Sequence, residues 1–138
     1  MKNRYKKEIM AVKKTIGHRE HFGFKQGFVA LIFIFEVILV FTFFDYTAHT
    51  MSPEYAVPSW YFTNKIMYGT VIGFITYLFI RKKPIVKKSI TLAAVITILL
   101  EIKYAFTGYS LEFLATFLAI HFVILFIVSY VGFKITKM

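Results

Sequence analysis

The chain has no cysteine, and its acidic residues are scarce, with seven Asp and Glu against seventeen Lys and Arg. The lack of cysteine excludes disulfides, thiolate metal sites and cysteine nucleophiles. Glycine-rich phosphate loops and the GxSxG nucleophile motif are also absent from the sequence. Serine, histidine and aspartate are too sparse to indicate a catalytic triad. The sequence therefore carries no signature of a nucleotide-binding enzyme or of a serine or cysteine hydrolase.

Apolar residues dominate what is present, at 58% of 138 residues and a mean hydropathy of +0.65. A soluble domain of this size is about 45–50% apolar. The first apolar run covers residues 27–44 and is interrupted only by Glu36 and Thr42. As a helix this run spans about 27 Å, close to the hydrocarbon thickness of a bilayer. The composition and this run predict an all-α integral membrane protein in the cell membrane.

The positive charges are distributed as a topology signal. All of them except Lys65 and Lys103 lie before the first apolar run, in the segment 81–88, or at the C-terminal end. Basic segments stay on the cytoplasmic side of a membrane. We therefore expect both termini inside, and no nucleic-acid partner for the net charge of +10. The predicted fold is a bundle of four transmembrane helices, over residues 28–44, 60–80, 89–105 and 111–133.

Residues 1–26 form a basic segment that precedes the transmembrane domain of residues 27–138. Tyr5, Ile9 and Val12 begin an apolar stripe at helical spacing, with lysines on the other faces. This pattern predicts an amphipathic helix on the cytoplasmic leaflet, bound in part to anionic lipid. The alternative is a solvated basic tail that only fixes the topology.

A polar pocket inside the membrane is the first candidate site, with Glu36, Thr97, Glu101 and His121 as its predicted residues. A carboxyl group at the centre of a span costs about 3 kcal/mol in lipid, so we expect Glu36 to face the protein interior. Glu36 and His121 lie at similar depth and could relay a proton or bind a cation. The alternative is a hydrogen bond that serves only helix association.

A divalent metal site near the outer surface is the second candidate. Asp45 and His49 are four residues apart and share a face if the first helix continues past residue 44. Carboxylate and imidazole are ligands for zinc, copper or iron, and the nearest candidates for a third ligand are Glu54 and Glu101. Solvated loop residues are the alternative reading. Lys65 and Lys103 are interpreted either as snorkelling side chains or as part of a cavity for an anionic group.

Small residues at four-residue spacing mark candidate helix contacts, at Gly69 with Gly73 and at Ala115 with Ala119. Such pairs allow close approach of two helices, either between subunits or within one. A transport pathway is rarely enclosed by four helices, so transport would imply a homo-oligomer or other membrane subunits.

Two functions follow from these patterns. The first is a small transporter, channel or membrane-complex subunit with an outward-facing polar pocket. The alternative is a membrane-embedded metal-binding enzyme, or enzyme subunit, that acts at the outer face. The sequence leaves open whether the protein is an enzyme.

Overall fold

A computed structural model describes residues 23–138, which form four α-helices and contain no β-strand. The helices are α1 (Phe24–Thr50), α2 (Trp60–Ile80), α3 (Ile85–Phe106) and α4 (Leu111–Thr136). A single 3-10 turn, Pro53–Tyr55, interrupts the connection between α1 and α2. The all-α prediction is thus confirmed for this part of the chain. The predicted amphipathic helix lies outside the described residues, except that α1 already begins at Phe24.

Local sequence signals account for several of these boundaries. The side chain of Ser52 accepts a hydrogen bond from the amide of Glu54 at the start of the 3-10 turn. Ser110 likewise accepts from the amide of Phe113 and caps the start of α4. Gly108, in the turn between α3 and α4, has a φ of 88°. A side chain is strained in that left-handed conformation, which glycine adopts freely.

Consecutive helices run antiparallel and pack as neighbours around a ring. Helix α1 contacts α2 and α4, and α3 contacts the same two helices from the other side, most extensively α4. We call the end with the 51–59 connection and the 107–110 turn the loop end, and the opposite end the basic end. The lysines and arginines of the described chain, except Lys65 and Lys103, gather at the basic end, namely Lys25, Arg81, Lys82, Lys83, Lys87, Lys88, Lys134 and Lys137.

The buried residues of α2 and α4 recur every four positions. In α2 this stripe includes Lys65, Gly69 and Gly73, and in α4 it includes His121 and Leu125. Residues at this spacing lie on one helix face and form the ridge that packs against a neighbour. The basic half of the interior is filled by an apolar cluster. Its buried members include Ile34, Ile38, Leu92, Ile96, Leu125 and Phe133.

The outward faces of the helices are also apolar. Exposed residues include Phe28, Phe43, Val71, Phe79 and Ile127. Two helices, Phe24–Thr50 and Leu111–Thr136, are long and apolar enough to cross a membrane.

Three helices are longer than the sequence patterns predict. Helix α1 continues past residue 44 to Thr50, because Asp45 and His49 are buried against the other helices. Helix α3 begins at Ile85, directly after Pro84, which shortens the predicted 81–88 loop. Helix α4 ends at Thr136, three residues beyond its predicted end at 133. Helix α2 has the predicted bounds.

Candidate functional site: a buried polar cluster at the loop end

Asp45 lies at the centre of a polar cluster inside the loop end of the bundle. Its side chain is fully buried. One carboxylate oxygen, Oδ1, accepts a hydrogen bond from Nε2 of His121 at 2.6 Å. The other oxygen, Oδ2, accepts from the ammonium group of Lys65. Asp45 of α1 therefore joins α2 and α4 through two charge-assisted contacts, the strong kind of hydrogen bond.

His121 bridges two carboxylates. Its Nδ1 lies 2.8 Å from Oε1 of Glu101, and its Nε2 faces Asp45. Each ring nitrogen therefore has a carboxylate oxygen as its hydrogen-bond partner, and His121 of α4 joins α1 to α3. The cluster thus places two carboxyl groups, those of Asp45 and Glu101, beside two basic side chains, those of His121 and Lys65.

His49 and Tyr104 extend the network towards the surface of the loop end. His49 Nδ1 donates to the backbone carbonyl of Tyr55 at 2.6 Å. Its Nε2 can then accept from the Tyr104 hydroxyl at 3.1 Å, which fixes one neutral tautomer. The same hydroxyl oxygen accepts from Lys65 Nζ at 3.2 Å. Asp45 thus belongs to one continuous hydrogen-bond network, which also contains Glu101, His121, Lys65, Tyr104, His49 and the backbone carbonyl group of Tyr55.

Aromatic rings enclose this cluster. Phe117 stacks on the His49 ring with centroids 4.0 Å apart, and Tyr61 stacks on Tyr104 at 4.8 Å. Tyr109, in the 107–110 turn, packs edge-on against Tyr104 at 5.3 Å. Burial raises the pKa of the Tyr109 phenol above its ordinary value, so this side chain stays uncharged. The rings exclude water, and hydrogen bonds between charged groups are stronger in such surroundings.

The structure brings together part of the predicted intramembrane pocket. Glu101 and His121 are in contact, and Thr97 is buried on α3, four residues from Glu101. Within residues 23–138, Thr97 Oγ1 and Glu101 Oε2 are buried and have no hydrogen-bond partner. The inner end of the cluster therefore presents two unpaired polar atoms on one face of α3.

Glu36 does not belong to this cluster, which corrects the expectation that it faces the interior. Its side chain is exposed and lines an apolar groove between α1 and α4, with Val131 and Thr136 among the other lining residues. The buried stripe of α1 passes through Ile34, Val37 and Ile38 instead. The carboxylate that meets His121 from α1 is that of Asp45, nine residues further along the helix.

The three residues of the described chain that could hold a metal ion are Asp45, His49 and His121. One ligand atom of each lies within 4.8 Å of the others. The third member is thus His121 rather than Glu54, which is exposed on the 3-10 turn. His49 Nε2 is 3.5 Å from Asp45 Oδ1. The ammonium group of Lys65 already pairs with the other oxygen of Asp45.

The predicted packing residues fall into two groups. Gly69 and Gly73 face α1, where an added Cβ would lie 3.2 Å from Ile38 and 2.9 Å from Ile34, respectively. They therefore serve packing within one subunit. Ala115 and Ala119 are exposed and line a shallow groove between α3 and α4.

The sequence patterns did not assign Lys65 and Tyr104 to a buried site with Asp45. A usable signal exists for Lys65, because the four-residue spacing of Gly69 and Gly73 extends back to residue 65. Tyr104 lies three residues after Glu101 on the same face of α3.

No match was found in comparisons with protein-family models, curated proteins and solved structures. Function is therefore inferred from the cluster's own geometry.

Proposed function

We propose that this chain is a multi-pass membrane protein with four spans and both termini in the cytoplasm. Its outward-facing helix surfaces are apolar, which suits contact with lipid rather than with water. The collection of lysines and arginines at the basic end supports a cytoplasmic position for that end. The loop end would then face the outside of the cell.

We further propose that the protein is a small transporter, or a subunit of a membrane transport complex, that takes up a proton at the buried cluster. The observation that carries this proposal is the continuous network from Glu101 through His121 and Asp45 to Lys65. Ionisable residues inside a membrane mark ion pathways and proton relays. Both ring nitrogens of His121 contact a carboxyl group, so a proton that moves between Glu101 and Asp45 along this network would pass through the imidazole.

The cluster is reached from the loop end in this conformation. A groove at the loop end is lined by His49, Thr50 and Ser52, among others. Towards the basic end the interior is closed by the apolar cluster that includes Ile34, Ile96 and Leu125. Passage across the membrane therefore requires a second conformation or a partner, such as another copy of the chain.

Proton flux into liposomes tests this proposal. The full-length protein is reconstituted with an internal pH-sensitive dye, and acidification is followed after a pH step. We expect wild-type protein to acidify the liposomes and Glu101→Gln to slow the flux by about tenfold or more. Glu36→Gln is the matched control, because it makes the same chemical change on an exposed carboxyl group. Wild-type flux equal to that of empty liposomes, or full flux in Glu101→Gln, would contradict the proposal.

A second candidate function is metal binding, favoured by the convergence of Asp45, His49 and His121. Carboxylate with two imidazoles is a donor set for zinc. Lys65 competes for the same carboxylate, so we expect Lys65→Met to bind zinc more tightly than wild type and His49→Ala to bind it more weakly. Elemental analysis and zinc titration of the purified protein measure this. Zinc binding that is absent from both wild type and Lys65→Met would reject the metal site.

A further inference from the structure

A groove of about 380 Å³ lies between α2 and α3 near the loop end. This size falls in the range of small-molecule sites. The part nearest the loop end is polar and contains Asn64, Lys65 and Lys103. The remainder is apolar and contains Ile72 and Leu99. The groove therefore has the polarity of an amphiphile, with a cationic head region and an apolar tail region.

Lys103 is the cation that is available in this groove. Its ammonium group lies 5.3 Å from the ring of Trp60, 4.9 Å from Tyr61 and 5.9 Å from Tyr68. No carboxylate of residues 23–138 forms a salt bridge with it. The charge of Lys65, by contrast, is balanced by Asp45. Three rings thus hold an ammonium group beside the groove without neutralising it.

We propose that this groove binds an amphiphile that carries an anionic head group on an acyl chain. The head group pairs with Lys103 and accepts a hydrogen bond from the amide of Asn64. The acyl chain lies along Ile72 and Leu99. A fatty acid carboxylate and the phosphate of an anionic phospholipid share this chemistry. The proposal goes beyond the proton pathway and does not depend on it.

Quenching of tryptophan fluorescence by brominated amphiphiles provides a direct test. Trp60 is the single tryptophan of the chain and lies beside Lys103, so its emission reports occupancy of the groove. The full-length protein in detergent is titrated with dibromostearate, with phosphatidylglycerol that carries brominated chains, and with phosphatidylcholine that carries the same chains. Each titration is repeated for Lys103→Met and Lys103→Arg. Lys87→Met, an exposed lysine at the basic end, is the matched control.

We expect saturable quenching by an anionic amphiphile at lower concentration than by phosphatidylcholine. Lys103→Met should weaken that binding by about tenfold, the loss of one charge-assisted hydrogen bond, whereas Lys103→Arg and Lys87→Met should retain it. Quenching by dibromostearate alone identifies a fatty acid, and quenching by phosphatidylglycerol alone identifies a phospholipid. Equal midpoints for all three amphiphiles, or an unchanged midpoint in Lys103→Met, would overturn the proposal.

Discussion

Replacement of Lys65 by methionine removes one ammonium group from the interior and keeps an unbranched side chain. Lys65 is 2% exposed and donates to Asp45 and to Tyr104. In the variant, Asp45 keeps its contact with the imidazole of His121 but loses its ammonium partner. His121 also contacts Glu101, so its imidazole does not replace the lost ammonium group.

The expected cost follows from the burial of this pair. Removal of one partner from a buried ion pair destabilises a protein by about 3–5 kcal/mol, because the remaining charge is left uncompensated. For a chain of this size that loss corresponds to a fall in Tm of about 10–25 °C. The lost hydrogen bond to Tyr104 is included in this range.

Thermal unfolding followed by circular dichroism in one detergent measures the effect. Lys87→Met is the control, since it makes the same change on an exposed lysine and should leave Tm nearly unchanged. A double-mutant cycle with Asp45→Asn separates the pair from its surroundings. The double variant should lose less stability than the sum of the single variants by about 1 kcal/mol or more. A Lys65→Met protein as stable as Lys87→Met, or strict additivity in the cycle, would refute the reasoning.

Further substitutions test the packing around the cluster by the same unfolding measurement. Tyr104→Phe should lower the free energy of unfolding by about 1–3 kcal/mol, because it leaves the buried Nε2 of His49 without its donor. An unchanged Tm would show that this hydroxyl group does not stabilise the cluster. Gly73→Ala should lower the free energy of unfolding by about 1–3 kcal/mol through overpacking, because its added Cβ would lie 2.9 Å from an α1 side chain. Gly69→Ala should lower it less, because its added Cβ would lie 3.2 Å from α1. A larger loss in Gly69→Ala than in Gly73→Ala would contradict these contacts. Phe117→Ala should lower the free energy of unfolding by about 3–5 kcal/mol, because this side chain is fully buried. Leu118→Ala should lower it far less, because the Leu118 side chain is 44% exposed. Equal losses in the two variants would show that Phe117 is not a core residue.

Helix content and the position of the polar groups could be predicted from the sequence. Long apolar runs and Ser–Pro–Glu or Ser–Leu–Glu starts mark helix boundaries directly. Counting along each run places Asp45, Glu101 and Lys65 near one end, which is where the cluster lies. What counting cannot supply is the rotation of each helix about its axis. The partner of His121 depends on that rotation, and for this reason the sequence paired His121 with Glu36 rather than with Asp45.

The rotation of α1 was nevertheless recoverable from its own polar residues. If Asp45 and His49 are taken as buried, the positions seven and eleven residues before Asp45 share their face, at Ile38 and Ile34. Glu36 falls off this stripe. The extension of α1 to Thr50 was the missing step, because its last six residues resemble a polar loop when read alone. Burial by neighbouring helices, rather than local propensity, decides their conformation.

The distribution of the cluster over all four helices has a consequence for biogenesis. Helices α1, α2 and α3 are synthesised before α4. Asp45 and Lys65 can therefore form their contact first, whereas Glu101 has no imidazole partner until α4 is made. A chain that lacks α4 leaves the buried carboxyl group of Glu101 without its imidazole partner. The polar cluster is therefore completed only when α4 packs against the other three helices.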